Sequence, residues 1–218
     1  MMKILHSSLS FLITIFFVNL SGQPIDLEAN ALLKDVSDKI SNFESIEITF
    51  EYSIINDTQD LQQRTDGKIV VKNDMFSLDI FEIRQIFDGQ KLYTISNEDE
   101  EITISKQQGY EFNYFSPSSL LNSLKKSYSC KMDILQKKSG STIQYIKFLP
   151  LDSNSEIKYI LVGVDNKTKI IDNLVMFDEN KIKTVIKIKE FNTNKSFPKS
   201  YFKFEKSKYK GYYINNLD

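Results

Sequence analysis

Histidine is almost missing from this 218-residue chain: there is one, His6, and it falls in an N-terminal apolar stretch. Without it the remainder cannot run a Ser-His-Asp or Cys-His mechanism and offers no imidazole to a metal. Cysteine is as scarce. Cys130 stands alone, so no intramolecular disulfide can form, and a lone thiol with no histidine base reads as a small buried hydrophobe rather than a nucleophile. There is no tryptophan, and the only arginines are Arg64 and Arg84 among 28 basic residues. Seven glycines leave few backbone cradles for phosphate, and no G-x-G-x-x-G, G-x-S-x-G or C-x-x-C occurs. A large charge of one sign is missing too. Twenty-eight basic residues face 29 acidic ones, a net charge of −1, so no global field favours nucleic acid or an anionic membrane. These absences point away from an enzyme: no catalytic residue, metal or cofactor is expected. A carboxylate pair is the one catalytic chemistry left open, and sequence places no two carboxylates together.

What is present is an ordinary globular balance, 41% hydrophobic and 26% charged. Residues 1–22 read as a cleaved signal peptide. Lys3 gives the positive start, Ile4 to Leu20 the apolar run, and Ser21-Gly22 the small residues before Gln23. His6, Ser7, Ser8 and Ser10 interrupt the run, which argues against an uncleaved anchor. No cysteine follows the cleavage point, so the mature chain, residues 23–218, is expected to be a soluble exported protein without a lipid of its own.

That mature chain shows no linker and no repeat, and one domain is expected. Asp26 to Phe43 predicts a helix. Ala29, Leu32, Leu33, Val36, Ile40 and Phe43 fall on one face, and Asp26 is placed to cap it. From Ile46 the period changes to two, with Ile46, Ile48, Phe50, Tyr52 and Ile54 alternating with polar residues. Asn56 to Gln63 reads as a polar turn. Strands are expected at Gly67–Lys72, Phe76–Ile80, Arg84–Phe87, Lys91–Ser96 and Ile102–Ser105. Ser116-Pro117 opens a second helix with Leu120, Leu121, Leu124 and Tyr128 on one face. Further strands are expected from Cys130, Thr142, Lys158, Ile170 and Lys181, and a last one over Tyr201–Glu205. About eleven antiparallel strands should curl into a barrel or partial barrel. Two amphipathic helices must lie on that sheet, so the fold is mainly β with α and encloses an apolar space.

Several landmarks, in order, resemble one family. They are Ala31-Leu32-Leu33, then Phe43 with Ile46 and Phe50, then Gly67-Lys68-Ile69-Val70-Val71-Lys72 followed by Phe76. The hairpin Ile86-Phe87-Asp88-Gly89-Gln90-Lys91-Leu92-Tyr93 comes next, and Phe191-Asn192, Phe202-x-Phe204 and Gly211 close the series. The set resembles the periplasmic outer-membrane lipoprotein carriers, the LolA-like proteins of Gram-negative bacteria, over Leu27 to Leu217. The resemblance implies an unclosed antiparallel β-barrel with helices as a lid over an apolar cavity, and no cofactor. It also implies lipoprotein acyl chains as cargo, received from an inner-membrane ABC transporter and delivered to an outer-membrane receptor. A monomer in the periplasm is expected, with no nucleic-acid partner.

The cavity is expected to be lined by Leu33, Val36, Ile40, Phe50, Tyr52, Ile69, Val71, Phe76, Leu78, Ile80, Leu120, Leu121 and Leu124. Each also has a plain core role. Two departures from the family stand out. Asn73-Asp74 follows Lys72 where many carriers have Arg-Pro, whose arginine helps hold the lid closed, and Tyr93 stands where a tryptophan is usual. Two other readings remain beside the carrier: a binder of another lipid (glycolipid, isoprenoid or fatty acid), and a structural periplasmic protein with a solid core.

Overall fold

The computed structural model describes residues 26–56, 61–106, 117–138 and 140–217, with side chains in the second helix described from Leu121 onward. The leader, Ser116 and the side chain of Leu120 therefore lie outside the described residues. The first described element is α1 (Leu27–Ser41), capped as its sequence predicts: Asp26 Oδ1 accepts from the backbone N–H of Ala29 at 3.0 Å. Its other carboxylate oxygen accepts from the N–H of Met132 at 2.8 Å, which ties the start of the helix to a distant strand. The buried stripe is Ala29, Leu32, Leu33, Val36 and Ile40.

The strands that follow are β1 (Ser45–Asn56), β2 (Leu61–Lys72), β3 (Met75–Ile80), β4 (Ile83–Phe87), β5 (Lys91–Ser96) and β6 (Glu101–Lys106). Helix α2 (Pro117–Ser127) crosses to β7 (Tyr128–Lys138), β8 (Ser141–Pro150), β9 (Ile157–Asp165), β10 (Ile171–Asp178) and β11 (Ile182–Thr193). A final β12 (Tyr213–Leu217) ends the described chain. All belong to one 12-stranded sheet in the order β12-β6-β5-β4-β3-β2-β1-β11-β10-β9-β8-β7. It consists of two antiparallel meanders joined where β1 pairs with β11, Tyr52 opposite Ile186. The barrel is unclosed, with β12 and β7 as its edges. Among the described residues only β12 against β6 is parallel.

Two expectations are corrected. Leu61 to Gln63 is strand, not turn, because β2 starts at Leu61 opposite Asn56. Tyr201–Glu205 is not a strand. A 3-10 turn spans Lys199–Phe202 behind Pro198, which lacks the N–H a ladder needs. The rings of Phe197, Tyr201 and Phe202 pack on one another instead, at 5.1 to 6.3 Å between centroids.

Alternation puts one residue set on each side of the sheet. On the inner side, the helix stripes meet Ile46, Ile48 and Phe50 of β1, Ile146 and Phe148 of β8, and Ile160, Val162 and Val164 of β9. On the outer side, a second core of Ile86, Ile95 and Ile102 is covered by Phe204, Tyr209 and Tyr212 from the C-terminal segment. Bulges bend the sheet at several points, two of them beside the inner face. In β11, Lys189 is the extra residue opposite the Thr49–Phe50 step. In β7, Asp133 and Ile134 face a single residue, and the carboxamide of buried Gln144 donates to the carbonyl of Asp133 at 2.9 Å.

Candidate hydrophobic site under the helices

The inner face gathers the residues expected to line a cavity. Leu33, Val36 and Ile40 of α1 and Leu121 and Leu124 of α2 join Phe50 in the helix-side cluster. Val71 and Phe76 belong to a second cluster with Phe87 and Leu92. Ile69 and Leu78 pack against both clusters and bridge them. Tyr52 and Ile80 flank the first. Leu120 lies in α2, with its side chain outside the described residues.

Coverage is graded across this surface. Leu33, Val36 and Leu121 are 0% exposed, so protein atoms surround them on every side. Tyr52, Ile69, Leu78 and Ile80 are only half-buried. Beyond the helices the apolar inner face thus continues toward β2 and β3 with less cover. Its rim is the β3–β4 turn, where Phe81 packs edge-on against Tyr52 at 5.1 Å and is itself 47% exposed.

Gly67 belongs to this surface for a steric reason. The tip of the Phe50 ring occupies the space above it, and a Cβ there would sit 2.4 Å from Phe50 Cζ. The opposite half of the inner face was missed as a site. Phe148, Ile160, Val162, Leu174, Met176, Ile186 and Ile188 complete the same apolar surface. Their signal was mixed: Lys187 and Lys189 flank Ile188, whereas Ile160 to Val162 and Leu174 to Phe177 are continuous apolar runs in which neither face stands out.

Polar groups near the site have structural employment. Cys130 faces the helix-side cluster, and burial, reinforced by the Asp26 carboxylate, pushes its thiol above the usual range, away from reactivity. Hydrogen bonds from the N–H groups of Ala29 and Met132 hold the Asp26 carboxyl below the usual range. On the outer face, Glu47 is 8% exposed and meets Lys195 at 2.6 Å and Lys68 at 2.9 Å. Those two hydrogen-bonded ammonium groups, Lys195 foremost, hold its carboxyl low. Among the described residues no three His, Cys, Asp or Glu side chains cluster as a metal site. No helix among them is long and apolar enough to cross a membrane.

The family model for the outer membrane lipoprotein carrier protein LolA matches residues 41–205, well over half of the chain. The chain belongs to the LolA family. No curated protein matches it. Among solved structures, an uncharacterized conserved protein from Thermus thermophilus is similar at TM-score 0.58 and 8% identity, covering 87% of this chain and 99% of that one. The LolA superfamily protein NE2245 from Nitrosomonas europaea aligns at TM-score 0.43 and 8% identity, over 81% of this chain and 97% of that one. A Pseudomonas aeruginosa MucA/MucB complex aligns at TM-score 0.44 and 14% identity, over 82% of this chain and 62% of that chain.

The LolA landmarks acquire physical reasons in this chain. In the Asp88-Gly89 hairpin, Asp88 Oδ1 accepts from the N–H groups of Gln90 and Lys91 at 2.9 and 2.8 Å, and Gly89 takes φ 95°. Tyr93, in the tryptophan position, donates its hydroxyl to Asp88 Oδ2 at 3.1 Å and stacks on Phe204 of the C-terminal segment. Lys72 donates to the carbonyl of Phe197 at 2.7 Å and so pins that segment to the outer face. Asn73, where many LolA proteins carry arginine, sits in the exposed β2–β3 turn with φ 53°.

Proposed function

We propose that the protein is a periplasmic carrier that shelters the acyl chains of lipoproteins between its sheet and its two helices and moves them from the inner to the outer membrane. The observation that carries this reading is the apolar inner face that outruns its helical cover, on a chain of the LolA family. Each methylene left in water costs about 0.8 kcal/mol, so a diacyl or triacyl anchor does not cross an aqueous compartment uncovered. Half-buried Tyr52, Ile69, Leu78 and Ile80 offer hydrocarbon a first foothold. Fully covered Leu33, Val36 and Leu121 are reached when α1 and α2 lift. Apolar contacts have no direction, so exchanging a helix stripe for an acyl chain replaces like with like. Cargo then shifts the balance between closed and open forms rather than creating a new state. An inner-membrane ABC transporter and an outer-membrane receptor are the partners this role requires, and no catalysis is involved.

The expected test is lipid analysis of protein purified from a periplasmic fraction of its host. Acyl chains linked to a protein N-terminus support the carrier, and a mature chain beginning at Gln23 supports export through the leader. Free glycolipid, isoprenoid or fatty acid identifies a different lipid binder. The solid-core reading draws on the complete burial of Leu33, Val36 and Leu121. It predicts that a fluorescent fatty acid gains no signal from the protein at any concentration.

A further inference from the structure

Away from the helices, β2 is longer than its neighbour. β3 pairs with it only from Lys68 opposite Asp79 to Lys72 opposite Met75. Residues Leu61 to Asp66 pair with β1 on one side, and among the described residues no strand pairs with their other side. The β3–β4 turn, Phe81-Glu82, closes the far side of the resulting notch, a cleft of about 990 Å³. Both residues of that turn hold left-handed backbone, φ 52° and 58°, a costly conformation for bulky side chains.

The only two arginines of the chain line this one cleft from opposite walls, Arg64 on the overhang and Arg84 on β4. The cleft's two lysines are committed: Lys68 to Glu47 at 2.9 Å, and Lys189 to Asp66 at 2.5 Å and Glu51 at 3.8 Å. The arginines are held more loosely, Arg84 by one long ion pair and Arg64 by a neutral amide. Arg84 Nε is buried without a hydrogen-bond partner, 3.6 Å from Asp79 Oδ1, and Nη2 reaches Ser77 Oγ only at 3.5 Å. Arg64 has the neighbouring Gln62 carboxamide oxygen, 2.6 Å from Nη2 once that amide is oriented to accept, and no carboxylate among the described residues. An unpaired strand edge recognises an extended backbone, and a guanidinium fork recognises a carboxylate by two parallel bonds.

We propose that this cleft receives an extended acidic segment of a partner polypeptide, which adds as a strand to the free edge of Leu61–Asp66 and sets its carboxylates on Arg64 and Arg84. The segment's carboxylates would project on alternate residues, as the period of a strand requires. Glu82, on the turn, and Asp79, beside Arg84, are like charges in the cleft wall that the segment meets, and they tune the affinity downward.

The proposal is tested on the whole mature protein with a fluorescein-labelled Val-Glu-Val-Glu-Val-Glu-Val peptide, its Val/Gln counterpart, and a version with proline at the central position. Anisotropy should report binding of the acidic peptide, weakened by salt and at least about tenfold weaker for the other two. R64Q and R84Q should each weaken binding roughly tenfold, and E82Q should tighten it. Amide exchange at Leu61 to Asp66 should slow in the complex, a readout that acyl binding does not require. Equal binding of the Glu and Gln peptides, or unchanged binding in the R64Q/R84Q double variant, overturns it. So does unprotected exchange at Leu61 to Asp66, or full competition by inorganic phosphate or phosphatidylglycerol vesicles, which would mark a simple anion or membrane site. Concentration-dependent dimers that hide the same amides would instead assign the edge to a second copy of this chain, and would also overturn it.

Discussion

The two faces of the sheet are covered by different physics. Inside, α1 and α2 lie on Leu, Ile, Val and Phe, and the side chains that meet there carry almost no hydrogen bonds. Outside, the C-terminal segment is fastened by directed contacts. Lys72 holds the Phe197 carbonyl, Ser45 Oγ holds the Lys195 carbonyl at 2.7 Å, Lys195 holds Glu47, and Tyr93 stacks on Phe204 at 4.8 Å. A cover held by non-directional apolar contact can be replaced by hydrocarbon at little free-energy difference. A cover held by hydrogen bonds and ion pairs cannot, because each broken bond leaves a buried polar group bare. The helices are therefore the side suited to move, and the C-terminal segment is the fixed one. The exception is Asp26, which bonds α1 to β7 and gives the movable cover an anchored end.

The largest effect that could break this contrast is on the inner side. Leu33→Ala removes a side chain with no exposure, and a rigid core would lose about 3 kcal/mol in urea unfolding. Where hydrocarbon can occupy the vacated space, added fatty-acid probe should recover much of that loss and bind more tightly than to wild type. Loss of stability with no recovery would assign the interior to a solid core. On the outer side, Glu47→Gln should cost about 2 kcal/mol at neutral pH, since two ammonium groups lose their carboxylate. The Glu47 carboxyl is held low in the folded state. Its contribution is therefore present above the ordinary glutamate range and lost as pH falls through the folded value. The variant should show a shallower acid limb in Tm against pH, and unchanged probe binding.

A smaller effect separates the anchored end from the rest of the lid. Asp26→Asn keeps an acceptor for the helix N-terminus but weakens the bond to Met132. Amide exchange should quicken through α1, while amides near Phe197 to Phe204 hold their rates. The Asp26 carboxyl is also held low, so wild type should approach the variant's exchange pattern as pH drops below the carboxylate range. Equal acceleration on both faces would show that the helices and the C-terminal segment open together.

Much of this architecture was legible because burial on one face writes a period into the sequence. Ile46 to Ile54 alternates cleanly since one side of β1 meets the helices, and the α1 stripe is spaced to meet it. The overhang of β2 was illegible for the opposite reason. Leu-Gln-Gln-Arg-Thr-Asp has no buried face, so nothing distinguishes it from a turn except the β1 ladder it completes. Tyr201–Glu205 shows the converse error, where aromatic alternation came from rings packing on each other and not from a pleat. The pairing of β1 with β11 and the parallel return of β12 join residues far apart in the chain, and no local pattern encodes them. The inner-face residues of the two helices and of β1 to β3 were found because apolar character and phase sufficed, and those of β8 to β11 were not. Which of them stay half-buried depended on how far the helices reach, and that is a tertiary fact.

The smallest expected effect concerns the rim where the two kinds of cover end. Ile80 pairs with Ile83 across the two-residue turn Phe81-Glu82, and both turn residues have positive φ. Two-residue hairpins of this hand favour Asn-Gly, because a β-carbon in left-handed backbone costs roughly 1 kcal/mol or more. Glu82→Gly should therefore stabilise the protein by about 0.5–1 kcal/mol. Phe81→Asn should gain less, since relief of strain is offset by loss of the edge-on contact with Tyr52. A phenylalanine kept at a strained, half-exposed position beside the open part of the apolar face is worth more to a ligand than to the fold. Fatty-acid probe should thus leave Phe81→Asn faster than wild type while Glu82→Gly releases it at the wild-type rate. Identical release from both variants would make the turn a feature of the hairpin alone, and would confine the site to the surface beneath α1 and α2.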